Sequence, residues 1–228
     1  MSVIDTLKPA EILTRIKLEP TPVVTWYSPT ERVELSGPVM ARWATKAANF
    51  LTEEYDFAPG STLRCDLPLH WRALGWALGT LLTGATLSFS DDDADVLVTY
   101  RPEAWQDVAI GEVLAQPLPA LALQWDGPPL PAMVEDASTG FMASADVLGP
   151  MPAATPDALA VDDPAVTHGE LATCLAGGGA KRIAFTPSSD LHMVRTCLQA
   201  WDARGSAVVV MEGVEAAAIA AQENATLL

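Results

Sequence analysis

Few side chains in this sequence have the types and spacing that chemistry requires. Asp91, Asp92, Asp93 and Asp95 could gather a divalent cation, but a hard cation needs ligands held in a defined cage, and four acids between two apolar runs read as a solvated loop. His168 with Cys174, and His192 with Cys197, lack zinc-ligand spacing, and no GxSxG elbow is present for a hydrolase. Ser138-Thr139-Gly140 is a fragment of a phosphate loop that reads as a plain turn. Gly177-Gly178-Gly179 precedes an apolar run, whereas a phosphate cradle follows a strand and opens a helix, so this run is expected to end a helix. Two proline-marked loops remain, each leading from an apolar run into a helix. Ligands of parallel sheets bind outside the carboxyl ends of the strands, which makes Pro68, His70, Trp71, Pro187, Ser188, Asp190 and His192 the candidate ligand-binding residues. No catalytic residue and no metal ligand is assigned.

The elements that must hold these loops alternate. Asp5 to Leu18 is expected to be a helix with Ile12, Leu13 and Ile16 on one face and Pro9 in its first turn, stopped by Pro20 and Pro22. Val23 to Tyr27 and Arg32 to Leu35 are strand candidates around Ser28-Pro29-Thr30. Ser36 caps a helix to about Tyr55, in which Val39, Trp43, Ala47, Phe50 and Leu51 recur at helical spacing. Leu63 to Leu67 is a strand. A helix follows with Trp71, Leu74, Leu78, Leu81 and Leu82 on a wide apolar face, ended by Gly84, and then come strands at Thr86 to Phe89 and Val96 to Tyr100.

Pro102 to Pro164 is rich in Pro, Ala and Gly. One strand is expected within Leu118 to Trp125, and extended chain elsewhere. Alternation resumes with a helix at Thr167 to Leu175, a strand at Arg182 to Phe185, and a helix from the cap candidate Asp190 to Ala203. A strand at Ala207 to Met211 and a final helix at Val214 to Glu223 complete it, stopping where another strand would follow. TGATLSF and RGSAVVV fall at equivalent places in what reads as a weak internal repeat. The expected fold is α/β, with two pseudo-equivalent lobes of mostly parallel sheet covered by helices. The lobes are residues 1–101 and 165–228, joined by a connecting segment at 102–164.

Composition narrows the function. Half of the 228 residues are hydrophobic, so a folded core is expected. With 13 basic against 29 acidic residues the net charge is −16, which repels phosphate backbones and anionic lipid and argues against nucleic-acid or membrane-surface roles. Cys65, Cys174 and Cys197 have no CxxC spacing, which fits a reducing cytosol. The N-terminus lacks a basic-then-apolar leader pattern, and the uncharged run Ala73 to Phe89 is too short and glycine-rich for a membrane span.

The segments VELSGPVMARWATKAANFL, APGSTLRCDLP and TGATLSF resemble the first part of the N-terminal domain of the adenylate-forming superfamily, the acyl-CoA synthetases and their AMP-binding relatives. VTHGEL is similar to the "LTH.NL" segment after that family's phosphate loop, or to its "LTY.EL" entry helix. KRIAFTPSSDLHMVRTCLQAWDARGSAVVV and VEAAAIAAQENAT are similar to the strand and helix units that follow. The layout also resembles a small actinobacterial group of short acyl-CoA synthetase-like proteins. The resemblance implies a loop of the "TSGTTG.PKG" type, whose backbone N–H groups and lysine hold ATP phosphates. Here the corresponding stretch is PAATPDALAVDDPAVTHGEL, without serine or lysine, without glycine ahead of VTHGEL, and with Asp157, Asp162 and Asp163 to repel a triphosphate. Asp190 stands where the family often has an aromatic-histidine pair, with His192 two residues off. The later adenine, ribose and catalytic-lysine motifs have no counterpart in the sequence.

The expectation is therefore a shortened acyl-CoA synthetase-like protein that is not catalytic by itself and acts by binding a ligand or a partner. The alternatives are a binding protein for a nucleotide, acyl group or CoA, and one half of a split ligase. No cofactor is expected, with AMP, ATP or CoA as the candidates if one binds. A homodimer or another protein is the expected partner, because an exposed parallel sheet edge invites pairing.

Overall fold

The computed structural model describes residues 8–105, 108–152, 154–175, 179 and 181–228. Helix α1 (Lys8–Lys17) leads into a hairpin of β1 (Pro22–Tyr27) and β2 (Arg32–Ser36), and then α2 (Gly37–Tyr55). Next come β3 (Thr62–Asp66), α3 (Trp71–Leu82), β4 (Thr86–Ser88), β5 (Val96–Thr99), a 3-10 turn at Pro102–Ala104, β6 (Glu112–Ala115), β7 (Val134–Asp136) and α4 (Ala137–Ala143). The last part holds β8 (Leu159–Asp162), β9 (Ala165–Thr167), α5 (His168–Leu175), β10 (Arg182–Phe185), α6 (Asp190–Asp202), β11 (Ser206–Val210), α7 (Ala216–Gln222) and β12 (Thr226–Leu227).

The strands form a five-stranded sheet in the order β12-β10-β11-β1-β2 and a seven-stranded sheet in the order β7-β6-β5-β3-β4-β8-β9. Only the edge strands β2 and β9 run antiparallel to their neighbours. The repeat legible in the sequence is present as topology. β3 lies between β4 and β5, as β10 lies between β11 and β12, and Thr62 pairs with Thr86 as Arg182 pairs with Ser206. In both units the N–H of that last residue also reaches the carbonyl just before the central strand, Thr86 to Ser61 and Ser206 to Lys181. The helix-ending turns differ. Gly84 takes a left-handed φ of 77°, whereas in the second copy Arg204 does so at 60°, next to Gly205.

Helix α3 is buried at every one of its 12 positions. It packs on β3 and β4 of the larger sheet and on α1, α2 and α6, while α2 and α6 also touch strands of the smaller sheet. One hydrophobic core therefore runs through this helix layer, from Val23, Ala207 and Val209 on one sheet to Leu63, Leu87 and Val98 on the other. Close approach of α2 to α3 depends on glycine. A Cβ at Gly79 would stand 2.5 Å from Ala47 Cβ and 3.1 Å from the Ala44 carbonyl oxygen, and one at Gly75 would stand 3.2 Å from Trp43 Cβ. Two tryptophans on either side of this layer tie it to β1: the Trp201 indole N–H donates to Val23 O (2.9 Å), and that of Trp26 to Leu69 O (2.9 Å).

The far face of the smaller sheet carries a second, small core with α7. Glu223 clasps it. Its carboxylate accepts from Tyr27 Oη (2.5 Å), Arg32 Nη2 (2.9 Å) and Arg182 Nη2 (2.5 Å). Burial alone would raise its pKa, but these three donors hold it down at about 2.

Several expectations need correction. Leu118 to Trp125 is not a strand, because the carbonyls of Leu118, Pro119, Ala120 and Ala122 are drawn to the Arg72 guanidinium instead of to a ladder. The segment 102–164 supplies β6, β7, α4 and β8 to the larger sheet and its helices. Strand pairing does not follow the division at 101, since β1 and β2 belong to the sheet built from β10 to β12. The strand that was expected to be missing after the last helix is β12, paired with β10. Val39 is 38% exposed, whereas Ala47, Phe50 and Leu51 are buried as expected, and Met40, Ala44 and Ala48 complete the buried face of α2. The cap of α6 is Ser189, whose Oγ accepts from the His192 N–H, and Asp190 is the first helical residue. Asp5 and Gly177-Gly178 lie outside the described residues.

Substituting Gly79→Val forces branched carbons into a contact that leaves no room for one. Overpacking of this kind costs about 1–3 kcal/mol, so the urea midpoint is expected to fall clearly, whereas Val39→Ala on the solvent side of α2 is expected to leave it nearly unchanged.

Candidate functional site

The two proline loops lead from the carboxyl ends of β3 and β10 into α3 and α6, and their carboxylates sense one another. Asp190 has its pKa raised, chiefly by burial and further by the negative charge of Asp66 at the end of β3. Asp66 is itself tied off. It accepts from Thr99 Oγ1 (2.7 Å), Trp105 Nε1 (3.0 Å) and Arg101 Nη2 (3.0 Å). Burial pushes its pKa up, and these bonds more than reverse that, so the net shift is downward. Asp190 is thus the carboxyl group here that holds its proton more readily than usual.

The candidates separate into two kinds. Ser188 is exposed, with His192 and Asp190 half-buried beside it and Pro187 buried beneath. His192 Nδ1 faces the Ser188 backbone N–H (3.1 Å) and Ser188 Oγ (3.0 Å), which folds the imidazole back over the helix start. Pro68 is half-buried, but His70 and Trp71 are only 4% and 2% exposed. His70 Nδ1 accepts the Arg72 N–H (3.3 Å) as the cap of α3, and its ring packs edge-on against Trp26 at 4.7 Å. Burial, and then the Arg72 charge, push its pKa down to about 3, so it is a neutral ring. These two residues therefore support the floor of the crevice from beneath and offer no exposed surface to a ligand lying in it.

Beside the α6 end of this crevice lies an apolar cleft of about 140 Å³. Leu171 and Leu175 of α5, Val194 and Leu198 of α6, and Val161 and Val166 of the β8–β9 hairpin line it. Leu191, between the predicted residues Asp190 and His192, reaches the same cleft. Among the described residues its polar side chains are Cys174, a free thiol, and Arg195, both exposed. This site was not among the residues expected from the sequence, although Leu191, Val194 and Leu198 repeat on one helical face and Leu171 and Leu175 answer them on α5.

The segment resembling a phosphate loop is a hairpin. Strands β8 and β9 pair antiparallel and turn through Asp163 and Pro164 alone. Helix α5 then starts on a reciprocal cap, in which Glu170 N–H donates to Thr167 Oγ1 (3.2 Å) and Thr167 N–H to Glu170 Oε2 (3.0 Å). The hairpin carries neither the lysine nor the glycines of a phosphate loop. The acidic loop is likewise committed. Asp92 pairs with Arg64, Asp91 accepts from the Asp93 N–H, and Asp95 accepts from the Thr62 N–H. No metal-binding group of three His, Cys, Asp or Glu occurs among the described residues, and no described helix is long and apolar enough to cross a membrane.

Comparison of the whole backbone with solved structures decides the fold. An acyl-CoA synthetase from Brucella canis superposes with a TM-score of 0.76 over 97% of this chain and 47% of that one, at 14% identity. The chain has the fold of the N-terminal part of an adenylate-forming enzyme. The amide bond synthetase McbA from Marinactinospora thermotolerans gives 0.66 at 18% identity, over 96% of this chain and 47% of its own. The chain thus spans about half the length of these adenylate-forming structures. In sequence, a TIGR03089 family protein of Mycobacterium tuberculosis is 32% identical over 136 residues, 57% of this chain and 56% of that protein. No family model matches the chain.

The depressed pKa of His70 has a consequence for stability. The unfolded chain takes up a proton near pH 6.5 that the folded chain refuses until about pH 3, so folding is favoured above pH 6.5 and weakens as the pH falls through that window. Between pH 6.5 and 4.5, the wild-type unfolding free energy is expected to drop more steeply than that of His70→Asn, by about 1.4 kcal/mol per pH unit at most, in urea titrations at fixed ionic strength.

Proposed function

We propose that this protein is an acyl-CoA synthetase-like binding protein. It holds an acyl chain in the cleft between α5, α6 and the β8–β9 hairpin and does not form an adenylate by itself. The observation that carries this reading is the pairing of the apolar cleft with the hairpin beside it. The cleft wall is hydrocarbon, so it favours an unbranched chain over a ribose or a phosphate. The adjoining turn is two residues, Asp163 and Pro164, where adenylate formation would call for a flexible, lysine-bearing loop. The net charge of −16 further disfavours a triphosphate.

The adenylate-forming fold favours carboxylic acids and their thioesters as the ligand class, and the exposed Arg195 at the cleft mouth offers a cation to an anionic head group. Buried Cys65 and Cys197, with exposed Cys174 as a free thiol, support residence in a reducing compartment.

Two assays test the proposal together. Fluorescent fatty-acid titration is expected to saturate in the wild type and to weaken at least tenfold in Val194→Trp, which fills the cleft. ATP–pyrophosphate exchange is expected to stay at background with a panel of carboxylic acids. Exchange above background with any acid overturns the non-catalytic half of the reading, and equal fatty-acid binding by wild type and Val194→Trp overturns the cleft.

A further inference from the structure

Arg72 carries a charge into the core without a counter-ion. Its side chain belongs to a residue 1% exposed, and its hydrogen-bond partners are neutral carbonyls: Pro119 O (2.7 Å), Ala122 O (3.2 Å), and Leu118 O and Ala120 O (both 3.4 Å). Glu31 and Asp126 act on it only through longer-range charge, and among the described residues no carboxylate comes within ion-pair distance. The guanidinium lies 4.7 Å from the ring centroids of both Trp43 and Trp71. Desolvation lowers its pKa to about 10, so it stays charged at neutral pH. An uncompensated buried charge is among the more destabilising features a core can contain.

Two donors in this place also lack acceptors. Arg72 Nη1 and Trp71 Nε1 are both fully buried and make no hydrogen bond. Among the described tryptophans, Trp71 is the one whose indole N–H is fully buried without an acceptor. Trp26, Trp76, Trp105, Trp125 and Trp201 each donate to a carbonyl or side-chain oxygen. Both orphan donors sit in the first turn of α3, a helix of 12 residues whose N-terminal dipole also favours negative charge.

We propose that Arg72 and Trp71 build a binding site for a small monovalent anion, a halide or a short carboxylate, at the N-terminal end of α3. The anion accepts from Nη1 and Nε1 and neutralises the guanidinium. Because the remaining Arg72 donors grip residues 118–122, the bound anion fixes that loop on α3. Glu31 and Asp126 nearby disfavour a divalent phosphate or sulfate, which selects for a single charge. The site is separate from the apolar cleft and stands or falls independently of acyl binding.

Crystals grown in sodium bromide test it directly. An anomalous peak within hydrogen-bond distance of Arg72 Nη1 and Trp71 Nε1 is expected, and its loss in excess acetate would identify carboxylate as the preferred form of the anion. In solution, the unfolding temperature is expected to be several degrees higher in chloride or acetate than in a bulky sulfonate of equal ionic strength. Trp71→Phe keeps the ring against Arg72 but removes one donor, so most of that difference is expected to disappear. If Trp71→Phe or Arg72→Lys fails to fold, the wild-type bromide experiment still decides. Water alone or no density at the two donors, with equal unfolding temperatures in all three salts, overturns the proposal.

Discussion

The arrangement of the whole chain depends on a helix that has no solvent side. Because α3 is buried along its full length, each residue on it must suit a different neighbour: β3 and β4 beneath, α2 beside, α1 and α6 across. Gly75 and Gly79 let the α2 backbone approach closely. Leu74, Leu78 and Leu81 fill the shared core, and Trp76 finds Gln116 for its one polar atom (2.9 Å). The same burial carries His70, Trp71 and Arg72 into the floor beneath the strand ends. That floor is desolvated, which explains both a neutral histidine and an arginine that takes its partners from a loop.

The two α/β units share a plan and have different chemical surroundings. In the first unit the loop after the central strand is sealed by Trp26, Trp43 and the 118–122 loop. In the second, Ser188, Asp190 and His192 remain open to solvent, and the following helix turns an apolar stripe toward α5. The accessible part of the second unit near α5 and α6 therefore offers hydrocarbon bordered by a few polar groups. A scaffold shaped like the first half of an acyl-CoA synthetase carries an apolar cleft, while the adjoining hairpin has no lysine of the kind that holds a triphosphate.

Local elements were legible in the sequence. The period of Leu74, Leu78 and Leu81, the glycine at 84 and the proline at 68 are short-range signals, and they placed α3 and its flanking strands to within a residue or two. The repeat was legible for the same reason. Pairing was not, because the contact of β1 with β11 joins residues far apart along the chain and leaves no local trace. The short strands β6, β7 and β8 hide in a proline-rich stretch, where three or four residues carry too little pattern to stand out. Leu118 to Trp125 misled because its residue types suit a strand, while a distant arginine takes its carbonyls. At the site, position along the chain placed Pro187 to His192 correctly at a strand end. Nothing in the residue types announced that His70 and Trp71 would be turned inward.

Methyl NMR of Leu- and Val-labelled protein during titration with decanoate tests the central claim most directly. The account expects saturable shifts of Leu171, Leu175, Val194 and Leu198, with Leu63 and Leu97 in the larger sheet unmoved. Shifts absent from these four methyl groups, or confined to the loops after β3 and β10, would contradict it.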